Sequence, residues 1–479
     1  MVVEAVSGSP PLAVGGVAGG SSMGMAVHGH RLSTVVPSSV TGEEVNYELA
    51  DADLLHKLHY LRAVHVFRAP AFAIEALKEP MFPWLDLYFP VSGRLRRRHQ
   101  AADAGAEGGK AVGLGRPYVR CNDCGVRIVE VACDATVEQW LQAEAERGGL
   151  CKALAYDKVI GPELFFSPLL YVQVTSFKCG GMALGFTWAH VIGDIPSAAA
   201  CFSTWAQLFS GKKAPAPTLR DPLAMPPPAA PPASVAAPPP SVKATAAPVG
   251  DDWAVPGTRD MVPFSFHVTE QQLQSLQLSA AKGHQQRHVV MGPFELVSAV
   301  IWRALAAIRG PEEEEATRTV TVVRTEPATP TPGGGGGRPV LANEHRIGHV
   351  VVASTGGSSS SPATADVSKL AALLAGAHLD EASAVAAAAF AGAEDADVVV
   401  YGANLTLVDA EALEVYAGLE LAGRRPAHVE YAVDGVGDGG AAVVHRDGGG
   451  RGRTVAAVLR RGEADRLRAA LRDALPVAA

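Results

Sequence analysis

The chain has 479 residues and a formal net charge of -8, and 48% of its residues are hydrophobic although only 6% are aromatic. This length exceeds one ordinary core and predicts two domains, while the acidic balance argues against a general nucleic-acid binder, which needs a basic surface. The sequence has no run of 18 or more apolar residues, so no transmembrane span is expected.

Residues 1–29 lack a basic start and are broken by Gly, Ser and Pro. We therefore predict a disordered extension and no signal peptide in this stretch. The six cysteines are scattered through the first half of the chain, which is too sparse for a disulfide scaffold. A reducing compartment and a cytoplasmic location are expected.

Residues 30–210 mix strand and helix patterns and are predicted to form the N-terminal domain. A first strand is expected from Arg31, and Thr136 to Arg147 opens with a T-x-x-Q capping box that predicts a helix. Two alternating runs, "LLYVQVTSF" and "MALGFTWAH", are separated by Gly180 and Gly181, which indicates a β-hairpin. A helix with one apolar face should follow Pro196.

Residues 211–260 are rich in Pro and Ala without periodicity, which predicts an extended crossover. Residues 261–479 again alternate strands and helices and should form a C-terminal domain. Within it we predict a strong amphipathic helix entered through Pro293, a flexible loop at the five glycines 333–337, and an Ala-rich helix from Val367 to about Phe390. Mixed elements in two similar halves favour an α/β or α+β fold.

Two patterns resemble metal-binding sites, but the residues in both are better explained by a structural role. Cys121 and Cys124 have zinc-knuckle spacing, but a structural zinc site needs four ligands and the second pair is missing. His56, His59 and His65 fall on a helix-to-strand pattern that explains them without an ion. We therefore predict no metal.

Two further motifs are missing from the sequence. The five glycines lack the lysine of a phosphate-binding loop, and the G-x-S-x-G elbow of serine hydrolases is absent.

The string "HVIGD" is the strongest candidate for chemistry. His190 ends a predicted core strand, and Gly193 beside it leaves room for a ligand or a tight turn. An imidazole titrates near neutrality and can take a proton from a hydroxyl or an amine. Asp194 lies past the turn and is better placed to brace the backbone than to share the imidazole proton. The alternative, on spacing alone, is a buried histidine that is hydrogen-bonded within the core and takes no part in chemistry.

Four separated segments together resemble the plant BAHD acyltransferase family. They are "WLDLYFPVSGRL", "CNDCGVRIVEV", "TWAHVIGD" and "PFELVSAVIWRALAAIRG". The third resembles the family's H-x-x-x-D motif, and the segments follow the family's order over residues 30–475.

The resemblance implies an α/β fold of two chloramphenicol-acetyltransferase-like domains, each a mixed β-sheet with flanking helices, joined by a long crossover loop. It implies an active channel between the domains, with acyl-CoA as the substrate or ligand. His190 would be the general base that activates a hydroxyl or an amine for attack on the thioester, and Asp194 would be its structural support. No tightly bound cofactor is implied, and a monomer is expected.

The sequence departs from the family where the D-F-G-W-G signature should stand, because only Gly423 and Pro426 keep a trace of it. The Y-F-G-N element is replaced by "LANEHRIGHV". Together with "YLRAVHVFR", "VVYGANLTLVD" and "VEYAVDGVGDGG", these departures resemble the Eceriferum/Glossy subgroup of cuticular wax formation.

The subgroup implies a role in very-long-chain fatty acid elongation beside the membrane-bound condensing enzyme of the elongase. Association with the endoplasmic reticulum would then come through that partner. Three hypotheses remain open: an accessory protein of elongation, an active acyl-CoA-dependent acyltransferase that uses His190, or a binding module with a relic site.

Overall fold

The structure is a computed structural model that describes residues 25–42, 44–98, 115–220, 239–257, 259–283, 291–325, 338–353, 361–382, 384–385 and 397–475. The predicted five-glycine loop at 333–337 lies outside these residues. Within the described part, no helix has the length and apolar character that crossing a bilayer requires.

The strands of the described residues, in chain order, are β1 Val27–Val35, β2 Asn46–Tyr47, β3 Tyr60–Phe67, β4 Arg94–Arg97, β5 Pro117–Arg120, β6 Val126–Cys133, β7 Leu170–Phe177, β8 Met182–Ala189, β9 Thr218–Leu219, β10 Lys243–Ala244, β11 Met261–Val268, β12 Thr319–Arg324, β13 Val340–Leu341, β14 Arg346–Val351, β15 Val398–Val399, β16 Leu405–Asp409, β17 His428–Asp434, β18 Ala441–Arg446 and β19 Arg453–Arg460.

The helices of the same residues are α1 Asp51–Leu54, α2 Ile74–Lys78, α3 Met81–Leu87, α4 Val137–Arg147, α5 Ile195–Phe209, α6 Glu270–Gly283, α7 Pro293–Arg309, α8 Glu314–Thr317, α9 Val367–Ala375, α10 Val415–Gly418 and α11 Glu463–Ala474. Short 3₁₀ turns occur at Phe89–Ser92, Leu150–Leu154, His190–Ile192 and Pro311–Glu313.

The first large sheet has the strand order β1-β6-β7-β8-β3-β17. Five of its strands come from the first half of the chain, and β17 comes from the second half. β17 pairs antiparallel with β3, from His428 opposite Val66 to Asp434 opposite Tyr60. The sheet of the first half is therefore completed by a strand of the second, which ties the two halves together.

The second large sheet has the order β11-β19-β18-β16-β12-β14. Its centre is parallel, because β16 pairs in parallel with both β12 and β18. The amphipathic helix α7 buries Phe294, Trp302 and Leu305 in the core beneath this sheet, where α9 and α11 also pack. Pro293 stands at its first position, as the sequence predicted, since a proline there loses no hydrogen bond.

The described parts of residues 211–260 make two short pairings with the second half. β9 runs parallel to β13, and β10 runs antiparallel to β15. Trp253 in the same segment is fully buried, and its carbonyl accepts a hydrogen bond from the Tyr60 hydroxyl at 2.8 Å. These contacts fix both ends of the crossover, whereas the proposed domain boundaries themselves stay a prediction.

Local sequence signals give several elements correctly. The Thr136 hydroxyl accepts from the backbone N–H of Gln139 at 3.1 Å and the Gln139 side chain accepts from the N–H of Thr136 at 2.8 Å, which confirms the predicted capping box of α4. β7 and β8 form the predicted antiparallel hairpin, and Gly180 has φ +79° in its turn. This is a backbone conformation that glycine adopts without steric cost.

Two predicted boundaries differ from the structure. β1 begins at Val27, so Val27 and His28 pair with β6 instead of belonging to the extension. The Ala-rich helix α9 ends at Ala375, with Gly376 at its cap, well before Phe390. Gly376 ends the helix because glycine is a weak helix former. Residues 386–396 lie outside the described part.

Gly185 in the middle of β8 permits a close backbone approach. A β-carbon there would lie 1.9 Å from the carbonyl oxygen of Leu154 and 2.8 Å from Cα of Ala155. We expect Gly185→Ala to lower the free energy of unfolding by about 2–3 kcal/mol, because a backbone atom cannot rotate away from the added methyl group. Urea unfolding followed by tryptophan fluorescence measures this loss.

Gly257→Ala is the matched control for that substitution. A β-carbon at Gly257 would meet only the Arg259 carbonyl oxygen at 3.7 Å, which is ordinary contact. Its unfolding curve should overlie that of the unsubstituted protein. Equal curves for the two variants would show that β8 does not depend on this close approach.

Candidate functional site

His190 lies where β8 ends, on the first residue of a 3₁₀ turn that leads into α5. Its backbone is held on both sides: its N–H donates to the carbonyl of His59 at 3.1 Å, and its carbonyl accepts from the Asn343 side chain at 3.0 Å. The junction seen in the sequence is therefore a fixed corner between a core strand and a helix.

Asp194 is the N-cap of α5 and bonds to the backbone. Its Oδ1 accepts from the N–H of Ser197 at 3.1 Å and its Oδ2 accepts from the N–H of Glu344 at 2.9 Å. Burial by itself raises the pKa of this carboxyl, but the nearby His345 ring and these two amides outweigh burial and hold the pKa below its usual value. An ionised Asp194 thus joins α5 to the segment that leads into β14.

The imidazole of His190 is fully enclosed, with 0% of the residue exposed. Its Nε2 lies 3.0 Å from the hydroxyl of Tyr401, and the ring of His56 stacks on it with centroids 4.5 Å apart. Burial, together with the neighbouring His345 and His59, lowers the pKa of His190 to about 3. The ring is therefore neutral at physiological pH.

The resemblance to the acyltransferases implied an open channel at His190, and the structure differs on this point. The ring has no exposed surface, and two surface clefts of about 390 and 420 Å³ are lined by other residues. The reason is tertiary: Tyr401 follows β15 of the second half and places its hydroxyl at Nε2 of the ring. Burial raises the pKa of Tyr401, so the hydroxyl keeps its proton.

The histidines at 56, 59 and 65 separate in the fold. His59 Nδ1 contacts the carbonyl of Gly435 at 2.7 Å, and its Nε2 accepts from the N–H of Val400 at 3.1 Å, which fixes the neutral tautomer. His56 packs between His190 and His345. His65 lies apart from them, between the rings of Phe186 and Tyr431. These three do not form a metal cluster in the described chain.

The sequence interpretation missed Tyr401, His345 and Asn343, which complete the surroundings of His190. They lie between 153 and 211 residues from it in the chain, so no local spacing could have linked them. The only available signal was that Tyr401 and His345 fall in the segments "VVYGANLTLVD" and "LANEHRIGHV", which were already noted as departures from the family pattern.

The two cysteines with zinc-knuckle spacing are part of a turn. Cys121 is buried and Cys124 is exposed, and the buried guanidinium of Arg94 donates to the carbonyls of Cys124 at 3.2 Å and Gly125 at 3.0 Å. Among the described residues, the side chains that gather as metal ligands are instead Cys151, His428 and Glu430. No spacing or motif in the sequence indicated this group.

The segment that replaces D-F-G-W-G forms a tight turn against the first half. Leu421 and Arg424 bridge each other, and Gly423 between them has φ +79°. The Arg424 guanidinium lies 3.7 Å from the ring centroid of Phe72. This loop thus packs on the first half through a cation–π contact.

Comparison with known proteins agrees with this architecture. A family model described as the Transferase family matches residues 25–326. The relative "Protein ECERIFERUM 26-like" of Arabidopsis thaliana is 34% identical over 428 residues, which cover 87% of this chain and 89% of that protein.

Two solved structures share the fold. Vinorine synthase is 16% identical with a TM-score of 0.62, covering 94% of this chain and 98% of its own. TRI101 of F. graminearum, in complex with coenzyme A and deoxynivalenol, is 14% identical with a TM-score of 0.62, covering 89% and 97%. They confirm the predicted α/β fold of two chloramphenicol-acetyltransferase-like domains.

Proposed function

Because this chain belongs to the BAHD family of acyltransferases, we propose that it serves very-long-chain fatty acid elongation for cuticular wax. In this proposal it keeps the acyltransferase fold, contacts acyl-CoA and acts beside the condensing enzyme of the elongase. That partner would bring it to the endoplasmic reticulum, and the chain alone would be a monomer. The similarity to an Eceriferum protein over most of both chains supports this assignment.

The observation that carries the proposal is the enclosed His190 ring. A general base works best when its pKa lies near the operating pH and when the proton it removes is within hydrogen-bond reach. Here the pKa is about 3, and the Tyr401 hydroxyl already occupies Nε2 at 3.0 Å. A role that requires no proton abstraction by His190 agrees with this arrangement.

The contact with acyl-CoA rests on fold likeness. TRI101, which has the same fold, was solved with coenzyme A. An acyl-CoA site that binds without turnover would let the protein present or guide a long acyl chain to the condensing enzyme.

A second candidate function is acyl transfer itself, because the Tyr401 hydroxyl lies within the 2.6–3.2 Å at which a general base holds the hydroxyl it deprotonates. If Tyr401 moves away, an acceptor hydroxyl can take the same place.

Replacement of His190 separates the two functions. We expect plants that lack the endogenous protein, when rescued with His190→Ala or His190→Gln, to recover the normal chain-length distribution of wax. For an active transferase, loss of the general base would instead reduce the rate by about a hundredfold or more. Wax chain lengths measured by gas chromatography provide the readout.

Two controls make this experiment decisive. Thermal unfolding of each variant excludes loss of the fold, and His190→Gln guards against a cavity left by alanine.

A separate assay tests acyl transfer directly. Purified protein is incubated with very-long-chain acyl-CoA and soluble alcohol or amine acceptors. Consumption of acyl-CoA that His190→Gln abolishes, together with a failed rescue by both variants, would overturn the accessory role in favour of acyl transfer.

A further inference from the structure

Cys151, His428 and Glu430 bring a thiol, an imidazole and a carboxyl group together inside the protein. Cys151 lies in the 3₁₀ turn after α4 of the first half, and the other two lie two residues apart on one face of β17 from the second half. One ligand atom from each side chain lies within 4.8 Å of the others. Cys151 is 0% exposed and Glu430 is 1% exposed.

Two atoms of this group have no partner among the described residues. Nε2 of His428 and Oε2 of Glu430 are buried without a hydrogen bond. A buried polar group left unpaired costs about 1–3 kcal/mol. Native structures pair nearly all such atoms, so two of them on side chains this close together point to a ligand that is part of the working protein.

The charges around the group also favour a cation. The carboxyl group of Glu430 has one guanidinium near it, that of Arg62, which lies 3.6 Å away and bonds more closely to Asp434 at 2.8 Å. The neighbouring Glu144 is occupied by the backbone, because it accepts from the N–H groups of Gly149 at 2.8 Å and Leu150 at 2.7 Å. Glu430 therefore only shares a distant cation, and a buried charge needs a partner.

We propose that Cys151, His428 and Glu430 bind one zinc ion that holds β17 of the second half to the first half. Sulfur, imidazole nitrogen and carboxylate oxygen are the three ligand types that zinc takes in proteins, whereas calcium and magnesium take oxygen. Tetrahedral zinc places its ligand atoms about 3.4–3.8 Å apart, so the group closes by about 1 Å. The Cys151 thiol loses its proton to solvent as the sulfur–zinc bond forms, and water fills the fourth position.

Zinc content tests the proposal on the full chain. Purified protein is incubated with ZnCl₂, freed of loose metal by gel filtration and analysed by mass spectrometry for zinc. We expect one equivalent in the unsubstituted protein and close to none in Cys151→Ala and in His428→Asn. Cys201→Ala is the matched control, because Cys201 is equally buried but lies on α5 in a different core cluster, and it should keep its zinc.

Cobalt supplies a test that needs no variant to fold. Titration of the metal-free, unsubstituted protein with CoCl₂ should produce a thiolate-to-cobalt charge-transfer band in the near ultraviolet and the visible bands of tetrahedral cobalt. No charge-transfer band, or zinc retained in full by Cys151→Ala, would overturn the site. In either case the thiol of Cys151 would only hydrogen-bond to Glu430.

Discussion

Acidification from pH 7 to pH 5 should destabilise the folded protein by several kcal/mol. Burial lowers the pKa of His59 to about 4 and the pKa of His65 and His190 to about 3, whereas an unfolded chain has histidines near 6.5. The unfolded state therefore binds more protons throughout this window, and stability that is complete above about pH 6.5 is lost as the pH falls toward 3 to 4.

The size of this loss follows from the number of histidines. Each buried ring costs about 1.4 kcal/mol for every pH unit below 6.5, so these three together cost about 4 kcal/mol per unit. An ordinary domain has only about 5–15 kcal/mol of stability. Urea unfolding between pH 8 and pH 5, followed by tryptophan fluorescence, should show a midpoint that falls steeply below pH 6.5.

His65→Leu isolates one of these contributions. Neither ring nitrogen of His65 has a hydrogen-bond partner among the described residues, so leucine removes a titrating group without breaking a bond. The slope below pH 6.5 should fall by about 1.4 kcal/mol per pH unit. Phe186→Leu, next to His65, is the control and should shift stability equally at every pH. Identical slopes for His65→Leu and the unsubstituted protein would contradict the assignment of this buried, neutral histidine.

Removal of the Arg62 guanidinium should cost about 3–5 kcal/mol, as expected when one partner of a buried ion pair is lost. Arg62 is 2% exposed on β3, and its Nη1 donates to both carboxylate oxygens of Asp434 at 2.8 and 2.7 Å. Its Nη2 lies 3.6 Å from Glu430. Arg62→Met keeps most of the side-chain volume but leaves two carboxyl groups of β17 buried without their cation.

The Arg62 prediction bears on how the halves are joined, because Arg62 belongs to the first half and its partners belong to the second. The free energy of unfolding of Arg62→Met, measured in urea, gives the loss. Arg68→Met is the matched control: its partner Glu138 is 3.3 Å away, but both side chains are 62% exposed, so little change is expected. A loss for Arg62→Met no larger than that control would mean that the ion pair does not hold β17 in place.

The predictions made from the sequence agree with the structure where the signal lies within one helix, strand or turn. The capping box at Thr136, the hairpin at Gly180 and the placement of His190 at a strand end all follow from residues within a few positions of one another. The same is true of Asp194, whose cap bond to Ser197 spans three residues. Such signals are local, and the physical interaction that they report forms inside one element.

The surroundings of His190 are formed by residues that lie far from it in the sequence. Tyr401 closes the ring nitrogen, Asn343 holds the backbone and His345 stands beside Asp194, and all three come from the second half. The group of Cys151, His428 and Glu430 likewise exists only because β17 joins the sheet of the first half. No periodicity or spacing encodes a pairing between strands that are hundreds of residues apart.

The sequence by itself determined the two-domain α/β fold, the family and the corner that carries His190 and Asp194. Helix periodicity and turn residues report interactions within single elements, and the order of the motifs is read directly along the chain. Only the tertiary structure decided whether the ring is open or closed and how its pKa is set. Those properties depend on which side chains the second half packs against the ring, and burial and neighbouring charge act through space and not along the chain.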